Sequence, residues 1–434
     1  MLGHARFRSV PLLLAALLVV SISQGADWPH WRGPNRDGTS PESSGFDAGA
    51  WKNLKPVWRV NVGRGCSAPL VVAGKVYTTG WKAGKDFVSC HDAVTGKEIW
   101  SQAYNCPQYG RKALGDQDQY AGPSSTPEFD AATRFPYTLS TDGDLNCWDT
   151  DNQGRNVWRL NLHKRYRVAQ RPRVAQSGHR DYGFTTAPLV AGDQVLVEAG
   201  AAEGTVLAFD KRTGKEAWRS ELKEPAGHTG GLVPMTIEKV SCVAVLTHFH
   251  LAVMRLDDGN EGKTVARYPW VTEFANSIPT PAVHGPHVLV TSAYNQMKMC
   301  KVKITLRGAE KVWESRNPSG VCSPVIHKGR VYFAWRGIRC LDFDTGKRLW
   351  AGVNTGYPGS CIVTGDDRLI CWTGHGQLYL VDARDATSLA ILTQKNDVLP
   401  AQAWPHVVLA SGRLFCKDRD GNLVCLALRD AGPR

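Results

Sequence analysis

The densest set of side chains able to hold an anion lies in residues 163–183, HKRYRVAQRPRVAQSGHRDYG. It carries Lys164, Arg165, Arg167, Arg171, Arg173 and Arg180 against one acid, Asp181, with His179 and Tyr182 near its end. Guanidinium groups grip carboxylate, sulfate or phosphate through paired hydrogen bonds, so the stretch suits an anion-binding rim. It suits a solvated charged loop equally well. Residues 103–124, AYNCPQYGRKALGDQDQYAGPS, add Arg111, Lys112, Asp116 and Asp118. His248 and His250 form a His-x-His pair, but zinc takes three or four ligands and the spacing supplies no third. The chain has no Gly-x-Ser-x-Gly, no Walker A loop, no His-Glu-x-x-His and no Gly-x-Gly-x-x-Gly following a strand. Those motifs would have marked a nucleophile-elbow hydrolase, a P-loop enzyme, a zinc protease or a dinucleotide site.

The elements that must position these residues repeat along the chain. CHDAVTGKEIW (residues 90–100), AFDKRTGKEAW (208–218) and CLDFDTGKRLW (340–350) share one plan: a strand, an Asp, Thr-Gly-Lys, then a strand with a Trp. The Asp can bond the turn's backbone N–H groups, and Gly supplies the positive φ that the turn needs. Weaker copies stand at residues 147–158, 255–268, 300–313 and 379–392. Tyr268 and Leu392 replace the Trp in two of them. Before each hairpin comes a small or polar residue and an apolar strand, as in CSAPLVVAGKVYTTG (66–80) and CSPVIHKGRVYFAW (322–335). Four strands per unit at a period of 40–60 residues predict an all-β chain: an eight-bladed β-propeller of four-stranded blades. Seven blades are the alternative, if the weakest unit, the fourth, is no blade. The last unit (404–428) lacks its outer strand, while PVWRVNV (56–62) is an outer strand without a unit. The N-terminal strand should therefore complete the last blade, a WD40-like closure that also removes open sheet edges.

The 434 residues divide into a leader at 1–26, an N-terminal arm at 27–54 and a propeller at 55–430. His4, Arg6 and Arg8 precede an apolar run at 10–20, too short to span a bilayer, and small residues follow. This reads as a signal peptide cleaved near Gly25 or Ala26, with the mature protein periplasmic or secreted. No later stretch is long and apolar enough for a membrane span. The formal net charge is +12, of which Arg6 and Arg8 in the leader supply two. A basic chain in that location meets anionic glycans or acidic proteins rather than nucleic acid.

The pattern Ala-x-Asp-x-x-Thr-Gly-Lys-x-x-Trp resembles the tryptophan-docking motif of PQQ-like (pyrroloquinoline quinone repeat) β-propellers. It is complete at 208–218 and has Cys for Ala at 90–100 and 340–350. DWPHWRGPNRDG (27–38) is similar to the N-terminal signature of exported members of that family. The resemblance covers nearly all of the chain after the leader. It implies that Trp58, Trp100, Trp158, Trp218, Trp313 and Trp350 dock between neighbouring blades, with weaker seams at Tyr268 and Leu392. Such propellers include both quinoprotein dehydrogenases and non-catalytic scaffolds. The dehydrogenases carry adjacent cysteines in a vicinal disulfide, and carboxylate and amide ligands for calcium. This chain has no Cys-Cys pair. No cofactor is therefore expected, with PQQ and calcium the alternative.

In a propeller the loops from the outer strand of one blade to the inner strand of the next, and those between the second and third strands of a blade, share one face with the channel mouth. That face should gather Arg111, Lys112, Arg171, Arg173, His179, Tyr182, His228, Trp270, Asn276, Tyr357 and Trp404. The expected role is a monomeric binding or scaffold module for a protein, a peptide or an anionic glycan. The alternative is a quinone-dependent oxidoreductase of alcohols or polyols. Of the twelve cysteines, Cys90, Cys147, Cys300, Cys340 and Cys425 recur at one strand position, too far apart for bridges. Cys66, Cys322 and Cys361 fall at inner-strand starts near the channel. If Asp420-Gly421 makes a two-residue hairpin turn, Cys416 and Cys425 face each other and could form a cross-strand disulfide.

Overall fold

The computed structural model describes residues 25–107, 121–170, 180, 182–272, 276–294, 296–384 and 387–428. The expected leader thus lies almost wholly outside the described residues. Among the described residues, strands form eight four-stranded antiparallel sheets, the blades of a β-propeller ring. Blades 1 to 7 use consecutive strands within residues 70–105, 128–161, 189–219, 233–269, 282–315, 325–352 and 359–395. The fourth unit is a full blade, so the count is eight. Blade 8 joins Val408–Ala410, Arg413–Lys417 and Asn422–Ala427 to the N-terminal strand Pro56–Asn61, with Trp58 opposite Cys425 and Asn61 opposite Asn422. No helix among the described residues is long and apolar enough to cross a membrane.

The Thr-Gly-Lys turns work as their residue types require. In blade 1, Asp92 Oδ1 accepts from Thr95 N at 2.7 Å and Thr95 Oγ1 at 2.8 Å, and Gly96 turns at φ +73°. Asp210 with Thr213 and Asp342 with Thr345 repeat the bonds. These threonine bonds hold all three carboxylates below their ordinary pKa.

Each turn receives the Trp of the preceding blade. A Cβ on Gly96 would stand 2.6 Å from the Trp58 ring, one on Gly154 2.4 Å from Trp100, and one on Gly214 2.6 Å from Trp158. Trp313 covers Gly346 in the same way. The indoles of Trp58, Trp158 and Trp313 donate to the carbonyls of Ala93, Lys211 and Phe343, each the residue after the turn's Asp. Trp218 donates instead to Gln194 in its own blade, at 2.6 Å. The indole N–H groups of Trp100 and Trp350 have no partner among the described residues.

The seam at Leu392 is built differently. Blade 8 has no hairpin there because its outer strand comes from the other end of the chain. A short helix, Ala48–Lys52, packs against the strand Ile391–Lys395, and its Trp51 is fully buried beside Leu54 and Leu392. The Trp51 indole donates to Ser44 O at 3.0 Å.

One register expectation fails. Cys416 lies opposite Val424, and Cys425 opposite Phe415. Both cysteines are buried and free. The turn has three residues, not two: Asp418 N bonds Asn422 O at 3.0 Å, and Gly421 takes φ +88°. One extra turn residue shifts the pairing and moves the two side chains to opposite faces.

Candidate functional site

The channel is filled from one end by the arm. Trp28 makes a two-way backbone bridge with Val71 of blade 1, and Phe129 N of blade 2 bonds Pro29 O. Arg36 and His30 both reach the buried carboxylate of Glu128, whose Oε1 also accepts from Val190 N of blade 3. Arg32 is buried and donates to Asp37 O at 2.9 Å and to Pro324 O of blade 6. Thr39 pairs with Val363 of blade 7, and Glu42 accepts from Ser411 N and Gly412 N of blade 8. Gly38 must be glycine: φ is +84° and a Cβ would stand 2.7 Å from Val325. Residues 27–44 are thus a plug tied to blades around the whole ring.

Trp31 is the plug's upper surface. Its indole donates to Thr280 Oγ1 at 3.0 Å, its ring lies against Gly230 and Gly231, and its edge meets His406 at 5.1 Å. Either glycine with a Cβ would collide with the ring. Above Trp31 opens a cavity of about 240 Å³. Its walls include Cys66, Tyr182, His228, Asn276, Trp404 and His406, so loops from most blades converge on it.

Four of the candidate residues therefore meet: Tyr182, His228, Asn276 and Trp404. Two do not. Trp270 is a core residue, 1% exposed, held between blades 4 and 5 with Lys298 Nζ 5.9 Å from its ring. Its large apolar ring is worth more in that seam than in a loop. Tyr357 stands on the surface, 48% exposed, beneath the Arg336 guanidinium at 5.4 Å, and does not line the cavity. Arg111, Lys112, Arg171, Arg173 and His179 lie outside the described residues. Trp31 and His406 also line the cavity and were not expected there.

Behind the His228 wall sits a buried polar group. The rings of Tyr182 and His228 meet at 5.1 Å, and those of His228 and His248 at 5.2 Å. Burial, then the charge of Arg180, pushes His248 down to about 3, so it is neutral. Arg180 is fully buried, stacks at 4.2 Å on Phe184 and makes no hydrogen bond among the described residues. Burial lowers it to about 10, against the charge of Glu198. Burial raises Glu198 to about 7. Its oxygens meet Gly227 N at 2.8 Å and Thr186 Oγ1 at 2.6 Å, and Thr186 Oγ1 also lies 3.1 Å from Thr229 O. A protonated Glu198 donating to Thr186, which donates onward to Thr229, satisfies every atom in that chain. His250 bonds Glu224 Oε1 at 2.7 Å, so the His-x-His pair is split between two environments.

On the opposite wall, beside Cys66, Lys417 is buried. It donates to Thr79 O at 2.8 Å and to Ser67 O and Oγ at 3.2 and 3.3 Å; burial lowers it to about 8.

The family model described as outer membrane protein assembly factor BamB matches residues 117–352, more than half of the chain. The protein belongs to this family of PQQ-repeat β-propellers. It is also 35% identical over 177 residues to the alcohol dehydrogenase (quinone) dehydrogenase subunit of Gluconobacter oxydans. That match covers 38% of this chain and 21% of the relative. The quinohemoprotein alcohol dehydrogenase ADH-IIG of Pseudomonas putida is 30% identical over 167 residues, 37% of this chain and 20% of that one. The match thus spans about a fifth of these curated relatives. Among solved structures, BamB from Moraxella catarrhalis superposes with a TM-score of 0.59 at 13% identity, covering 86% of this chain and 99% of that one. Quinohemoprotein alcohol dehydrogenase from Comamonas testosteroni gives 0.64 at 14% identity, covering 94% and 82%. At such identities the likeness is one of fold.

The relatives raise the question of PQQ with calcium. The aromatic surfaces of Trp31 and Trp404 suit a planar ring. Calcium takes six to eight oxygen ligands, with carboxylates prominent. Among the described residues lining the cavity there is no Asp or Glu, and no described group of three or more His, Cys, Asp or Glu could hold a metal. The described residues do not fit the calcium half of that pair.

Proposed function

We propose that this protein is an exported binding module whose cavity above Trp31 receives one compact unit of an anionic glycan, peptide or protein partner. The observation that carries the reading is the cavity itself. It is closed below by a plug, floored and walled by Trp31 and Trp404, edged by the donors of His228 and Asn276, and free of carboxylates among its described lining. A sugar ring can stack on an indole while its polar atoms meet those donors, and an acidic group can accept from the same donors. Arg171 and Arg173 would add paired hydrogen bonds to an anionic ligand. The likeness to BamB, titled an assembly factor, supports a role in binding rather than turnover.

The second reading, a quinone-dependent oxidoreductase, draws on the partial likeness to the two alcohol dehydrogenases and on the aromatic floor. The test is calorimetric titration of the protein with an oligogalacturonate and with a Glu-rich peptide, alongside Trp31→Ala and His228→Ala. The expected result is saturable binding to one probe, weakened at least about tenfold in both variants. Equal binding by the wild type and both variants would move the site off the cavity.

A further inference from the structure

Cys322 and Cys361 belong to adjacent blades, yet their sulfurs are 3.8 Å apart. Inner strands converge on the channel, so residues at their starts can meet where equivalent positions farther out cannot. Both side chains are buried, at 1% and 0% exposure. They lie just behind the cavity wall, whose residues Val321, Ser323 and Gly359 flank them in sequence. Cys322 Sγ accepts from Ala334 N at 3.3 Å. The buried Arg32 of the plug adds its charge to the same spot. Burial pushes the Cys322 thiol up, but bonds from Cys361 and the Ala334 amide, with Arg32, bring it below the ordinary value. Cys361 is raised, first by its bond to Cys322 and then by burial. The two sulfurs face each other directly, and the lowered Cys322 thiol is the one suited to attack, with Cys361 as its resolving partner.

We propose that Cys322 and Cys361 are a thiol–disulfide site that closes into a bridge between blades 6 and 7 when the chain folds with a small-molecule disulfide as oxidant. The Cys322 thiolate attacks the oxidant's S–S bond and one thiol leaves. The Cys361 sulfur, giving up its proton, then attacks Cys322 Sγ and the second thiol leaves. Two protein thiols are oxidised and one disulfide is reduced to two thiols. Bridging needs the sulfurs to close from 3.8 Å to about 2.05 Å. A rival lies close by, because Cys371 pairs directly with Cys361 across the blade 7 strands.

The test refolds the whole chain in a glutathione redox buffer and, separately, in reductant. Thiols are then alkylated under denaturing conditions and the protein is mapped without reduction. The expected result is one linked peptide pair joining Cys322 to Cys361, present only in the oxidised sample, with two fewer alkylated thiols. Cys322→Ser and Cys361→Ser should each abolish it and restore full alkylation of the remaining cysteines. A Cys361–Cys371 link, or full alkylation of the folded wild type after oxidation, would overturn the proposal. If a serine variant fails to fold, Cys371→Ser serves instead: the Cys322–Cys361 link must persist in it, and its loss would overturn the proposal equally.

Discussion

The seams between blades and the channel at their centre are built on opposite plans. At the seams one device recurs: a Trp from one blade covers the turn glycine of the next, as Trp58 does Gly96 and Trp158 does Gly214. In the channel nothing recurs. Glu128, Arg180 and Lys417 are each held by a different set of partners, as is Arg32 of the arm. Repetition makes a ring cheaply. Breaking the repetition on the inside is what gives the ring a cavity with its own chemistry.

The largest effect should come from the seams. Trp158→Ala removes a ring that packs on Gly214 and donates to Lys211 O, and should cost about 3–5 kcal/mol by chemical denaturation. Trp31→Ala, in the channel, should cost less stability than Trp158→Ala while removing the binding surface. A greater loss of stability at Trp31 would mean that the plug, not the seams, holds the ring. Gly96→Ala should cost about 2 kcal/mol, because its φ is +73° and a Cβ would press on Trp58.

Next in size is a pH effect confined to the channel wall. Burial raises Glu198 to about 7. The folded state therefore keeps a proton that the unfolded chain releases above the ordinary carboxylate pKa, so this group costs stability as pH rises from about 4.5 to 7. Glu198→Gln should gain on the wild type by about 1–3 kcal/mol between pH 4.5 and pH 8. A constant difference across that range would show that Glu198 titrates normally. The smallest effect separates two seams of one design. Trp58→Phe loses the bond to Ala93 O and should cost about 1 kcal/mol more than Trp100→Phe, whose indole has no partner to lose among the described residues.

What could be read from the sequence follows the same division. The docking turns were visible because Asp, Thr, Gly and Trp stand at fixed offsets, and the missing outer strand of the last unit pointed to Pro56–Asn61 as its completion. The hairpin at Asp420-Gly421 was misread by one residue because Asp418 draws Asn422 into the turn through backbone and side-chain bonds, which a Gly position alone does not signal. Tyr182, His228, Asn276 and Trp404 could be placed on one face because loop positions follow from the blade order. Trp270 could not be told from them, since a Trp at a strand end reads the same whether it turns inward or into the seam. The plug was opaque because its contacts do not repeat. Trp31, Arg32 and Arg36 each meet a different blade, and no period predicts that.

The most direct test of the binding-module account is a calorimetric titration of the protein with PQQ, once with calcium and once with a chelator. The account predicts no binding that depends on calcium, because the described cavity offers aromatic surface and donors but no carboxylate. Saturable binding at micromolar or tighter affinity that requires calcium would contradict it. That result would make the cavity the seat of a quinone-dependent oxidoreductase.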